Sequence, residues 1–128
     1  MLDLVIRNAN LPDGRRGMDI AVENRRIVEI GPKLDAQAKR EIDATDRLAT
    51  PPFVDSHFHM DSTLSYGQPR VNKSGTLLEG IELWGELKPH LTVEHIKARA
   101  TQLCHWAIAR GTLAIRSHVD ISDDRLLA

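Results

Sequence analysis

Cysteine is nearly absent from this sequence: Cys104 is the single one among 128 residues. An internal disulfide is thereby excluded, and a reducing, cytoplasmic setting is expected. Long apolar runs are lacking too. Asp3 and Arg7 interrupt the N-terminal stretch, which argues against a signal peptide or a membrane-spanning helix. Charge of neither sign predominates, because 17 Lys and Arg against 18 Asp and Glu leave a net charge of −1. These charges are scattered, so neither nucleic acid nor an anionic membrane is expected as a partner. What remains, 41% hydrophobic and 27% charged residues, is the composition of a globular chain with a modest core.

Against that background one short stretch carries chemistry: Leu48-Ala-Thr-Pro-Pro-Phe-Val-Asp-Ser-His-Phe-His-Met-Asp61. Two imidazoles one residue apart share a face only on a β-strand, where side chains alternate with period two. Pro51-Pro52 keeps a helix from running into the segment, and Val54, Phe58 and Met60 supply an apolar opposite face. The pattern reads as a buried strand delivering His57 and His59 as two nitrogen ligands to one divalent metal, with Asp55 and Asp61 on the same alternating face. Asp61 lies one step beyond the histidines. It is expected outside the coordination shell, fixing a ligand or the start of the following loop by hydrogen bonds. The bland alternative is that such histidines are simply satisfied polar residues.

Around this stretch the first fifty residues predict short strands and turns. Asp3–Asn8 alternates, Pro12-Asp-Gly-Arg15 is a turn, and Asp19–Val22 with Arg26–Ile30 flank a hairpin, followed by a polar loop over Lys33–Glu41. Beyond the histidines, Ser62–Gly80 is a long connection without sustained periodicity, and such loops are usually functional. A short helix is predicted at Leu77–Trp84, ending by Pro89, and a longer one from an N-cap at Thr92 to Gly111. His90, His95 and His105 fall near or off its apolar stripe and are expected to face solvent, whereas Cys104 reads as a small apolar residue. Thr112–Asp120 is again a strand, with Arg116, His118 and Asp120 on its polar face. Those three are candidates for chemistry near the histidines or for an internal salt-bridge cluster. Ser122–Ala128 reads as the capped start of a further helix.

Strand, long loop, helix and strand, with polar residues at the strands' C-terminal ends, is the pattern of a (β/α)8 barrel. Such a barrel takes about 250 residues, so the sequence is expected to be the front third of a larger protein. Small zinc-dependent nucleobase deaminases of this chain length are excluded, because they need H-x-E and P-C-x-x-C elements that do not occur here.

The succession Leu4-Val-Ile-Arg-Asn-Ala9, Asp19-Ile-Ala-Val22, Arg26-Ile-Val-Glu-Ile-Gly31, Ile42-Asp-Ala44 and Phe53-Val-Asp-Ser-His-Phe-His59 resembles the N-terminus of the amidohydrolase superfamily. Pro51-Pro-Phe-Val54, His57-x-His-x-Asp61, Gly67-Gln-Pro69, Asn72-x-Ser-Gly-Thr-Leu77 and Arg116-x-His-Val-Asp120 narrow the likeness to the cytosine deaminase branch. Departures are Ser62 for threonine, Met60 for an aliphatic residue, and Lys73 where a neutral amide is common. The resemblance implies an α/β protein: a metal-dependent TIM-like barrel with a small β-sandwich domain. Residues 1–50 would be the N-terminal part of the sandwich, and residues 51–128 the first two strands and first helices of the barrel. It implies that His57 and His59 bind one Fe or Zn ion, and that Leu77 contacts the substrate. Gln68 is a second candidate for that contact, with Asn72 an alternative supplier of an amide; each is equally well read as a turn cap. Asp61 and His118 would support the site from behind. The remaining ligands and the proton-shuttling glutamate are expected after Ala128, and Glu79, Glu82 and Glu86 do not take that role. The implied activity is hydrolytic deamination of a cyclic amidine, foremost cytosine to uracil plus ammonia, in a cytoplasmic protein acting on a small nucleobase-like molecule. Isocytosine, an aminotriazine, or a non-catalytic scaffold role stay open, as does assembly into a homo-oligomer. The 128-residue chain alone is expected to be inactive.

Overall fold

The computed structural model describes residues 1–127, which divide into two compact units, Met1–Pro51 and the segment from Pro52 onward. The first is a four-stranded sheet of β1 (Leu4–Ala9), β2 (Met18–Glu23), β3 (Arg26–Pro32) and β4 (Glu41–Asp43) in the order β3-β2-β1-β4. The first three strands pair antiparallel and β4 lies parallel to β1. The expected hairpin forms. Asn24 and Arg25 turn it with φ of 50° and 63°, the two positive angles of a type I′ turn that matches strand twist.

Alternation sorts the faces of this sheet. Ile6 sits opposite Ile20 and packs with Ala9, Leu11, Met18 and Ala44. The other face carries Val5 opposite Ala21, both buried, and beside them the ion pair of Arg7 with Asp19 at 2.8 Å. The Arg7 guanidinium also donates to the carbonyls of Leu34 and Ala36, each at 2.8 Å, and to Glu41 at 2.7 Å. These bonds tie the polar 33–40 loop to the sheet rather than leaving it free. Burial pushes the Asp19 carboxyl up, but Arg7 and the N–H groups of Asn8 and Leu34 outweigh it and hold the group below its ordinary range.

The second unit runs β5 (Phe53–His59), a long turn-rich loop, α1 (Leu77–Leu87), a single 3-10 turn (Lys88–His90), α2 (Val93–Ala109) and β6 (Thr112–His118). β5 and β6 pair in parallel, and the long helical crossover between them is what a parallel pair requires. α2 starts at Thr92 as expected, whose hydroxyl accepts from the His95 N–H, and stops at Gly111 with φ +85°. His90, His95 and His105 are exposed. Leu87, Leu91 and Ile96 form the core here, flanked by Trp84 and Leu127.

Three expectations change. The strand expected to run to Asp120 ends at His118. Instead of a helix from Ser122, residues 123–125 make a turn in which Asp123 accepts from the Arg125 N–H and ion-pairs with its guanidinium; Ala128 lies outside the described residues. β5 is not buried: Phe53 and Val54 are 61% and 68% exposed, since β5 has β6 as its one neighbouring strand among the described residues.

The α1 start is set by Thr76-Leu-Leu-Glu79, a capping-box sequence. The Thr76 hydroxyl accepts from the Glu79 N–H, while the Glu79 carboxylate reaches back to the Ser74 N–H at 2.6 Å and to Arg70 at 2.7 Å. The Ser74 hydroxyl and N–H, the Lys73 N–H and Arg70 together lower the Glu79 carboxyl to about 2, against burial.

Two outcomes follow from these ion pairs. Asp19→Ala leaves Arg7 and two N–H groups without their acceptor, a loss of about 1–3 kcal/mol. Amide exchange at Val5 and Lys39, whose bonds hold the 33–40 segment, should accelerate about 10- to 100-fold; unchanged exchange would contradict the pinning. A depressed carboxyl contributes stability above its unfolded value and loses it as pH falls toward the folded one. The Ser74 amide should therefore lose protection between about pH 4.5 and 2 in wild type but not in Glu79→Gln, as followed by NMR titration.

Candidate metal centre

His57 and His59 emerge at the C-terminal end of β5, next to His118 at the matching end of β6, where His59 pairs in register with His118. The pairing slips between Asp55 and Phe58, so strict alternation is interrupted where His57 sits. The two β5 rings nevertheless stand together, centroids 5.6 Å apart and tilted by 60°. Two imidazoles on one ion, at metal–nitrogen distances of about 2.0–2.1 Å, have centroids about 5 Å apart, a separation close to that of this pair. Both rings are exposed and open to an ion from outside.

His118 behaves differently. Its Nε2 lies 3.0 Å from His57 Nδ1, ring edge against ring at a 4.0 Å centroid separation. Burial first, then the neighbouring His57, His59 and Arg116, push its pKa below the usual histidine value, with Asp61 opposing. Among the described residues no group of three His, Cys, Asp or Glu converges to hold a metal.

Asp61 is buried at 3% exposure and sits in the turn after β5, not on the strand. Its carboxylate accepts from the Ser62 N–H at 2.9 Å and the Asp120 N–H at 2.8 Å. One oxygen lies 3.9 Å from His59 Nδ1, too far for a hydrogen bond. The side chain thus ties the exits of β5 and β6 to each other. Arg99 of α2 fastens the same turn by donating to the carbonyls of Asp61 and Thr63. Nothing in the spacing of the sequence signalled that clamp.

Asp120 is similarly engaged. It accepts from Trp84 Nε1 at 2.7 Å and pairs with Lys88 at 2.6 Å, while Lys88 also donates to Ser122. Lys88 and Ser122 foremost hold its carboxyl well below the usual range. The internal ion-pair reading therefore fits Asp120, with Lys88 of the 3-10 turn, not Arg116, as partner.

Beside His59 opens a cavity of about 660 Å³. Leu77, Ile81 and Trp84 of α1 form an apolar wall, and Gln68 and Asn72 border it from the loop. Asn72 spends both ends of its amide on the local turn, donating to Thr76 O and accepting from the Gly75 N–H. Gln68 bonds to the Ser65 carbonyl through its backbone N–H, and its side-chain amide has no hydrogen bond among the described residues. Lys73 borders a separate depression with Thr76 and Glu82, away from the histidines. No helix among the described residues is long and apolar enough to cross a membrane.

The amidohydrolase family model matches residues 40–128. The chain is 33% identical over 127 residues to the N-isopropylammelide isopropyl amidohydrolase of Pseudomonas sp., covering 93% of this chain and 30% of the relative. Among solved structures, the 5-methylcytosine deaminase of Klebsiella pneumoniae liganded with phosphonocytosine is similar with a TM-score of 0.84 and 36% identity, over 96% of this chain and 30% of that one. The N-isopropylammelide isopropylaminohydrolase of Burkholderia multivorans gives a TM-score of 0.69 at 28% identity, over 94% and 30%. The chain thus spans about 30% of the length of each. The match over residues 40–128, with the histidine pair inside it, shows that this chain belongs to the amidohydrolase family.

Proposed function

We propose that the whole protein is a metal-dependent hydrolytic deaminase of a cyclic amidine, with cytosine or a close relative as substrate and uracil-type product plus ammonia. The observation that carries the reading is the 36% identity and 0.84 TM-score to a cytosine-class deaminase over 96% of the chain. Residues 1–50 would form the N-terminal part of a β-sandwich. Residues 51–128 would be the first strands and helices of a (β/α)8 barrel, a reading supported by the parallel β5–β6 pair and the crossover helices.

His57 and His59 would hold one divalent Fe or Zn ion. Such an ion supplies Lewis acidity and lowers the pKa of water from 15.7 to about 7. Leu77, Ile81 and Trp84 would give a flat ring an apolar wall beside it, and Gln68 of the loop would offer it an amide. Asp61 would keep the histidines and the loop in place without touching the ion. A second reading changes the amine: the 33% identity to an N-isopropylammelide amidohydrolase supports an N-alkylated substrate from which an alkylamine leaves.

In the full-length protein, His57→Ala and His59→Ala should each remove most bound metal by elemental analysis; normal metal in both would sink the assignment. Leu77→Ala should keep the metal and reduce kcat/KM about 10- to 200-fold, the usual loss of apolar pocket contacts. Unchanged kinetics on every cyclic amidine tested would place α1 away from the substrate. Assaying ammonia against alkylamine release decides between the two amines, and an intact, metal-free, inert protein would favour a scaffold.

A further inference from the structure

We propose that His118 is a positioning residue that fixes the tautomer of His57, accepting the His57 Nδ1–H so that the lone pair of Nε2 faces the metal. The inference rests on the metal reading above and deepens it by assigning the third histidine of the cluster.

The geometry separates His118 from the ligand pair. Its Nε2 is directed at His57 Nδ1, 3.0 Å away, with the rings edge to face at 75°. His59 makes no such contact with His118: their centroids are 5.7 Å apart, much as His57 and His59 are at 5.6 Å, so it is the short nitrogen–nitrogen contact that sets His118 apart. A third ligand would have to share a point with His57 and His59, and among the described residues no three donors do. A neutral imidazole has one donor and one acceptor nitrogen, and the bond made by one settles the state of the other. Left to itself, a histidine side chain favours the proton on Nε2, which would remove that nitrogen as a ligand. An acceptor at Nδ1 reverses the preference. Asp61, 3.9 Å from His59, is beyond bonding distance and serves His59 in no comparable way. The asymmetry means that the two ligands depend differently on their surroundings.

The cluster is built to hold this contact. His118 is half-buried and terminates β6 in register with His59. The Asp61–Asp120 bond, at 2.8 Å, fixes the two strand exits immediately beyond the rings.

The test uses the full chain with ¹⁵N-labelled histidine, metal-free, at a pH where the imidazoles are neutral. Long-range ¹H–¹⁵N spectra should show His57 protonated on Nδ1 in wild type and on Nε2 in His118→Leu. His118→Gln, whose amide oxygen can accept the same proton, should restore the Nδ1–H form. In zinc titrations His118→Leu should bind about 10- to 100-fold more weakly, the usual effect of losing a partner behind a metal ligand, and His118→Gln should recover most of that loss. Amide spectra of β5 and β6 report whether each variant keeps the strand pair. Should His118→Leu lose it, the wild-type tautomer and the Gln variant decide. An Nε2–H His57 in a wild-type chain that binds zinc would overturn this proposal alone. A wild-type chain with Nδ1–H His57 and no zinc binding would overturn the metal reading and, with it, the purpose assigned to His118.

Discussion

Parallel pairing of β5 with β6 is the constraint on which the second unit depends. Parallel strands cannot be joined by a tight turn, so the chain must leave the end of β5 and cross back through a long connection before it reaches β6. That obligation places the loop and α1 directly after the histidines, where they form a cavity wall beside His59. It also sets both strand ends side by side, so His57, His59 and His118 meet although the last two are 59 positions apart. The pairing slips twice, between Phe53 and Val54 and between Asp55 and Phe58, and from Phe58 opposite Ser117 it runs in register to His59 opposite His118. Such irregularities bend a strand and re-aim a side chain, and they concentrate next to active sites.

Polar contacts fasten what the pairing brings together. Asp61, Asp120, Lys88, Trp84 and Arg99 form a connected set that locks the exits of β5 and β6 to α1, the 3-10 turn and α2. Each carboxylate in it is satisfied by N–H groups or cations, and buried acids are retained at low cost only on that condition. The first unit uses the same device with Arg7, whose guanidinium donates to four residues on one face of the sheet.

Much of this was legible in the sequence where local physics decides. Period-two alternation and turn chemistry gave the hairpin at Asn24-Arg25, the strand through His57 and the cap at Thr92, because those features depend on near neighbours. The cap at Thr76, with Glu79 three residues on, is an equally local signal at the start of α1, one that the expectation of a helix there did not draw on. The spacing of residues could not show which distant groups meet. Lys88 pairs with Asp120 across 32 positions and Arg99 reaches Asp61 across 38, through a crossover geometry that no local pattern encodes. The expected helix after Ser122 failed for a related reason: Asp123 caps a turn and binds Arg125, an alternative to continued helix that Asp side chains commonly offer. Burial of β5 lies beyond the same limit: apolar alternation reports which face wants cover, not whether the described residues supply it.

The central claim is that one divalent ion is held from the end of β5 by the two histidines, with Asp61 behind them. Anomalous diffraction from crystals of the full-length protein, collected at the zinc and iron edges, tests it most directly. The account predicts a single peak about 2.0–2.1 Å from one nitrogen each of His57 and His59, with the Asp61 carboxylate still bonded to the Ser62 and Asp120 N–H groups. A peak held by other side chains while both histidines stand free, or a carboxylate oxygen of Asp61 on the ion, would contradict it.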